Sequence, residues 1–175
     1  MKQIHKKDIN YKDIIFASIF NLLLIAYIYL YGDISISDIN LTFIILPIVV
    51  IATFVFHEYI HIFFFKVFSN GKANIRVIRE KDLGAVIMYQ ENKEVLYSKY
   101  QSIIILIAPL IIITILSIPF LNLSYIGLVI KVNMYLNIVG SSVDSTIIFR
   151  LLKEKNNIKI NYDYDKEIGV IMNIN

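Results

Sequence analysis

The chain has 175 residues, of which 57% are hydrophobic and only 18% charged, with a net charge of +3. A soluble domain averages about 45–50% apolar and about 25% charged residues, and the excess here is gathered in long uncharged runs, so residues 1–175 read as one membrane-embedded domain. Cysteine is absent, which excludes disulfides and thiolate metal sites and leaves His, Asp and Glu as metal ligands.

The first apolar run, Ile14–Tyr31, carries no charge and ends in tyrosines. Its length suits a span, and aromatic residues suit the lipid–water interface. No small-residue cleavage pattern follows it, so it reads as a retained span and not as a cleaved signal. The second run, Ile39–Phe65, contains Pro47 and one acidic residue, Glu58, flanked by His57 and His61. As a helix it would be roughly 40 Å long, so it tilts or protrudes. From Gln101 to Ile130 there is again no charge, a stretch too long for one straight span. Pro119 divides it. The expected spans are therefore 14–31, 40–66, 101–118 and 130–150, with Lys131 either snorkelling or at the surface.

The basic residues alternate along this map. The N-terminal arm carries Lys2, Lys6, Lys7 and Lys12, the middle segment runs from Lys66 to Lys99, and the tail from Arg150 to Lys166, whereas the intervening loops are free of Lys and Arg until Lys131. Positive residues collect on the cytoplasmic side, so both termini are expected in the cytoplasm of a multi-pass protein in the cell membrane. Topology accounts for the basic residues, and no basic cluster with interleaved aromatics suggests nucleic acid.

Two segments outside the spans predict strands. Ala73–Gln90 has the pattern of a hairpin with a turn near Lys81-Asp82, and in Asn157–Asp165 apolar Ile158, Ile160, Tyr162 and Tyr164 alternate with polar Lys159, Asn161, Asp163 and Asp165. The expected fold is an all-α membrane protein, a four-transmembrane-helix bundle with a small cytoplasmic β element over 73–90 and 157–172. That element either caps the bundle or offers an edge strand to an extended peptide.

The chemistry concentrates in His57-Glu58-Tyr59-Ile60-His61. Positions i and i+4 share one helix face, so the two imidazoles can hold one Zn²⁺. Glu58 points aside and is free to act as general base. Ionisable residues inside a span are costly, and three in one turn call for a functional explanation. A hydrolytic zinc site needs a third protein ligand and an open position. Asp144 is the other acidic residue deep in a span. Counted from the basic residues that end their helices, Glu58 and Asp144 both lie roughly 9–13 Å from the cytoplasmic face. Asn133, Asn137, Ser141 and Asp144 form one polar face of the fourth span, opposite Thr53, His57 and His61. Interhelical hydrogen bonding is the expected role of Asn133 and Ser141, with Gly140 allowing close approach. Asn137 is a candidate for holding a substrate carbonyl or oxyanion. His5 lies in the polar arm and is expected to be solvated.

HEYIH near the cytoplasmic end of one span, with N-x-x-x-G-S-S-x-D in a later one, resembles the zincin peptidase family of small bacterial membrane proteins. That family is in turn similar to intramembrane metalloproteases of the site-2 type. The resemblance runs from about Ile39 to Lys153 and implies His57, His61 and Asp144 as zinc ligands, Glu58 as the base and Asn137 as the asparagine that precedes the aspartate. Two departures stand out: no proline lies between Asn137 and Asp144, and Ser145, not glycine, follows Asp144.

The expectation is a zinc-dependent intramembrane metalloprotease acting on a membrane or membrane-proximal peptide near the cytoplasmic face. The competing expectation is a non-enzymatic membrane protein with a structural zinc site or a partner- or ion-binding role. Oligomeric state is open.

Overall fold

The structure is a computed structural model that describes residues 2–4, 11–31, 39–79, 86–90, 94–123, 127–165 and 169–174. His5, the 32–38 loop and the Lys81-Asp82 turn lie outside these residues. The fold is mostly helical. In chain order come β1 (Lys2–Ile4), α1 (Tyr11–Tyr31), α2 (Ile39–Phe68), β2 (Ile75–Arg79), β3 (Val86–Gln90), β4 (Tyr97–Ser98), α3 (Lys99–Ser117), α4 (Gly127–Gly140), α5 (Ser142–Leu152), β5 (Lys159–Asp165) and β6 (Gly169–Ile174).

Among the described residues two helical stretches are long and apolar enough to cross a membrane, Ile45–Phe68 and Lys99–Phe120. Leu22, Leu23, Ile48, Ile51, Phe63 and Ile115 are all exposed, an outward face that suits lipid. Helix α3 starts at a capping box in which Ser98 and Gln101 satisfy each other's backbone amides. It ends in a short 3₁₀ turn, Ile118–Phe120, at Pro119.

The expected fourth span, 130–150, is not one helix. Helices α4 and α5 have 14 and 11 residues, about 21 and 17 Å, each shorter than the ~30 Å apolar core of a bilayer. The break falls at Gly140-Ser141-Ser142. Ser141 has ψ 6°, away from the helical value near −42°. Its hydroxyl donates to Asn137 O at 2.8 Å and that of Ser142 donates to Val139 O. Short hydroxyl side chains that bond back to their own helix compete with the regular ladder and bend it. The interhelical bond expected of Ser141 is replaced by this local one. Lys131, expected to snorkel or to sit at the surface, is instead buried at 3% exposure.

Helix α5 is held at both ends. Asn21 Nδ2 in α1 donates to Ser142 Oγ at 3.1 Å. At the other end the buried Lys99 ammonium donates to Leu152 O, Glu154 O and Asn156 Oδ1 at 3.2, 2.6 and 3.3 Å. A cation bonded to the last carbonyls of a helix satisfies orphan acceptors and complements the helix dipole.

The strands make a four-stranded antiparallel sheet, β1-β6-β5-β4, and a separate β2-β3 pair. Strands form within both expected segments, at β2 and β3 and at β5 and β6. The β2–β3 register places Ile75 opposite Gln90, whereas β1 has no counterpart in the sequence reading. Ile160 and Tyr162 of β5 are buried as the alternation requires, but Asn161 is buried too, its Nδ2 donating to Val95 O at 3.0 Å. The apolar core joins sheet to helices through Phe65, Tyr97, Ile105, Leu151, Ile160 and Tyr162. Phe65 and Tyr162 pack edge to face with ring centroids 4.9 Å apart, a favoured aromatic geometry. Tyr97 Oη donates to Phe65 O at the end of α2. Burial pushes the Tyr97 phenol up to about 12, against a smaller opposing effect of the Ser69 hydroxyl, and burial likewise raises Tyr162.

Candidate metal centre

Helix α2 carries His57 and His61 one turn apart on a buried face, at 6% and 5% exposure. Their rings meet edge to face with centroids 4.9 Å apart. Helices α3 and α4 pack against this face, and α5 packs against α3. Gly140 sits close to α2: a Cβ there would lie 3.2 Å from Phe54 Cε1, one turn before His57, so the ring would have to give by a few tenths of an ångström. The bend at Ser141 then sends α5 off with Asp144 in its first turn, 18% exposed at the side chain.

Each histidine has its far nitrogen committed. His61 Nδ1 lies 2.8 Å from Ile105 O, and His57 Nδ1 lies 3.1 Å from Asn137 Oδ1. Both partners are acceptors, so in the neutral rings both Nδ1 atoms carry the proton and both Nε2 atoms carry a lone pair. Those two Nε2 atoms face each other at 3.2 Å, and Asp144 Oδ2 lies 3.4 Å from His57 Nε2 and 3.5 Å from His61 Nε2. With both rings neutral, three acceptors thus meet with no hydrogen between them. In a buried site such an arrangement is repulsive unless a cation lies among them.

The triangle fits zinc. Tetrahedral bonds of about 2.0–2.1 Å to N and O ligands require ligand atoms about 3.3–3.4 Å apart, and the three edges are 3.2, 3.4 and 3.5 Å. Donor chemistry agrees, since two imidazoles and a carboxylate form an N/O set suited to Zn²⁺. Among the described residues this is the one group of three or more His, Cys, Asp or Glu placed to hold a metal.

The structure therefore brings together His57, His61 and Asp144, with Asn137 against His57. Glu58 is half-buried and lies within electrostatic reach of His57, His61 and Asp144. Asn137, 2% exposed, turns its amide oxygen to His57, and its Nδ2 has no hydrogen-bond partner among the described residues. Sequence reading missed the Ile105 carbonyl, because a main-chain acceptor leaves no mark in residue type. It also missed Asn21 and Lys99, which fix the helix that carries Asp144. Asn21 did leave a signal, as an amide in an otherwise apolar run.

Two histidines and an aspartate converging on apolar helices define a helical protein with a three-residue group that could hold a metal ion. A family model described as "Putative zincin peptidase" matches residues 48–159, which contain the whole triad. The chain belongs to that family, which suggests a zinc metallopeptidase. No curated protein and no solved structure matches it.

Proposed function

We propose that this protein is a zinc-dependent intramembrane metallopeptidase, similar to the site-2 type, in a bacterial cell membrane. Its substrate is a membrane-embedded or membrane-proximal peptide cut near the cytoplasmic face. His57, His61 and Asp144 hold the zinc. The observation that carries this reading is the cluster of three lone-pair atoms at tetrahedral spacing, inside a chain of zincin family. A structural zinc is normally closed by four protein ligands, whereas a catalytic one has three and an open position. Three are found among the described residues.

Zinc, when bound, supplies Lewis acidity that polarises a carbonyl and makes water nucleophilic near neutral pH. The chain's own groups do the rest. Glu58 takes a proton from the attacking water and delivers it to the leaving amine nitrogen, so that the C–N bond breaks after the C–O bond forms. Asn137 Oδ1 fixes the His57 tautomer, and its Nδ2, without a partner among the described residues, is available to a substrate carbonyl. The substrate arrives unwound, because a helix commits its carbonyls to its own hydrogen bonds.

Four crossings with both termini in the cytoplasm suit the charge alternation, with α1, α2 and α3 as three of them and α4 plus α5 as a bent fourth. The sheet then lies on the cytoplasmic side beneath the site. No nucleic-acid partner is proposed.

The test is metal content and cleavage of membrane peptides by the purified protein beside Glu58→Gln. The variant should keep its zinc and lose about 10²–10⁴-fold in turnover. Full activity in Glu58→Gln would remove the proposed base, and a zinc-free wild type after loading would remove the site.

A further inference from the structure

In an uninterrupted α-helix the carbonyl of residue i accepts from the N–H of residue i+4. In α3 the carbonyl of Ile105 would be claimed by the N–H of residue 109. That residue is Pro109, inside the helix, and proline has no N–H to give. The carbonyl left over is the one that His61 Nδ1 reaches at 2.8 Å. The proline lies outside the triad, and its side chain has no chemistry of its own.

We infer that Pro109 is a positioning residue for the metal centre: by withholding a backbone N–H it leaves the Ile105 carbonyl to accept from His61, which holds the ring proton on Nδ1 and turns the Nε2 lone pair toward His57 and Asp144. The inference rests on the metal site proposed above. It accounts for a proline in the middle of α3, where proline is the least favourable helix residue. A buried carbonyl without a partner would be costly, and His61, 5% exposed, supplies the donor. The two histidines are thus oriented by different means. His57 uses a side-chain amide, Asn137, and His61 uses a backbone acceptor exposed by a missing hydrogen. Neither ring can flip to present Nδ1 to the cation without abandoning its buried partner.

The experiment compares full-length wild type with Pro109→Ala, and with Pro47→Ala as a control for losing the proline of another helix. Zinc affinity is read by chelator competition, and ligand geometry by the visible spectrum of the cobalt(II)-loaded protein. In Pro109→Ala the restored N–H competes for Ile105 O. Zinc should then bind about 10–100-fold more weakly, the range for loss of an outer hydrogen-bond partner, and the cobalt bands should shift. The metal-free variant should be at least as stable as wild type, and Pro47→Ala should bind zinc normally. Equal zinc affinity and an unchanged cobalt spectrum in Pro109→Ala would overturn the inference while leaving the zinc site intact. Failure of the wild type to bind zinc would instead overturn the site itself. Should Pro109→Ala misfold, ¹⁵N NMR of the His61 ring in metal-free wild type decides: the Nδ1–H tautomer supports the inference and the Nε2–H tautomer refutes it.

Discussion

Replacing Asp144 by asparagine should move metal binding and metal-free stability in opposite directions. With both rings neutral, the carboxylate oxygen lies 3.4 and 3.5 Å from two imidazole lone pairs, an arrangement that a metal ion or an added proton makes favourable. In Asp144→Asn the amide can turn Nδ2 toward one Nε2 and donate a hydrogen bond, worth about 0.5–1.5 kcal/mol net. The metal-free protein should therefore hold its stability or gain by that amount. Zinc should bind at least ~100-fold more weakly, because losing an outer-shell partner alone costs about 10–100-fold. At a zinc concentration of ~100 times the wild-type Kd, binding stabilises the wild type by about 2.7 kcal/mol, and a 100-fold weaker site leaves about 0.4 kcal/mol. Denaturant unfolding with and without chelator, run on both proteins, measures all four states. Zinc stabilisation of Asp144→Asn equal to that of wild type would refute the role of Asp144, and a large loss of metal-free stability would refute the account of three facing acceptors.

Gly140→Ala places a Cβ 3.2 Å from Phe54 Cε1, so the ring must yield. The expected cost is about 1–2 kcal/mol in unfolding experiments, relieved by adding Phe54→Leu, and no relief in the double variant would show that the contact does not limit the α2–α4 approach. Tyr97 carries a phenol pushed up to about 12 by burial, against 10.0 in the unfolded chain. Its folded value is the raised one, so its contribution is intact below pH 10 and is lost as pH climbs toward 12, by up to roughly 2–3 kcal/mol. Unfolding midpoints from pH 9 to 12 should fall more steeply for wild type than for Tyr97→Phe, and parallel curves would exclude Tyr97 as the source.

Much of this protein was determined by composition and local pattern. Uncharged runs announced apolar helices, and the alternation of Ile158, Ile160 and Tyr162 announced a strand, because an apolar helix and a half-buried sheet each constrain the residues along an element. His57, Glu58 and His61 were legible because the helix repeat alone places i and i+4 side by side. Asp144 could be nominated by depth, since charge inside an apolar segment is rare for energetic reasons.

Tertiary structure decided what local pattern could not. The bend at Ser141 depends on the Ser141 and Ser142 hydroxyls donating back to their own helix while Ser142 also accepts from Asn21 of α1, and these bonds aim α5. Lys131 is buried and Lys99 clasps the end of α5, yet in sequence both look like ordinary interface charges. The state of the two histidines was set by acceptors 44 and 80 residues away, Ile105 O and Asn137 Oδ1. A tautomer is fixed by whichever atom faces the far nitrogen, and only the packing of α2 against α3 and α4 puts those atoms there.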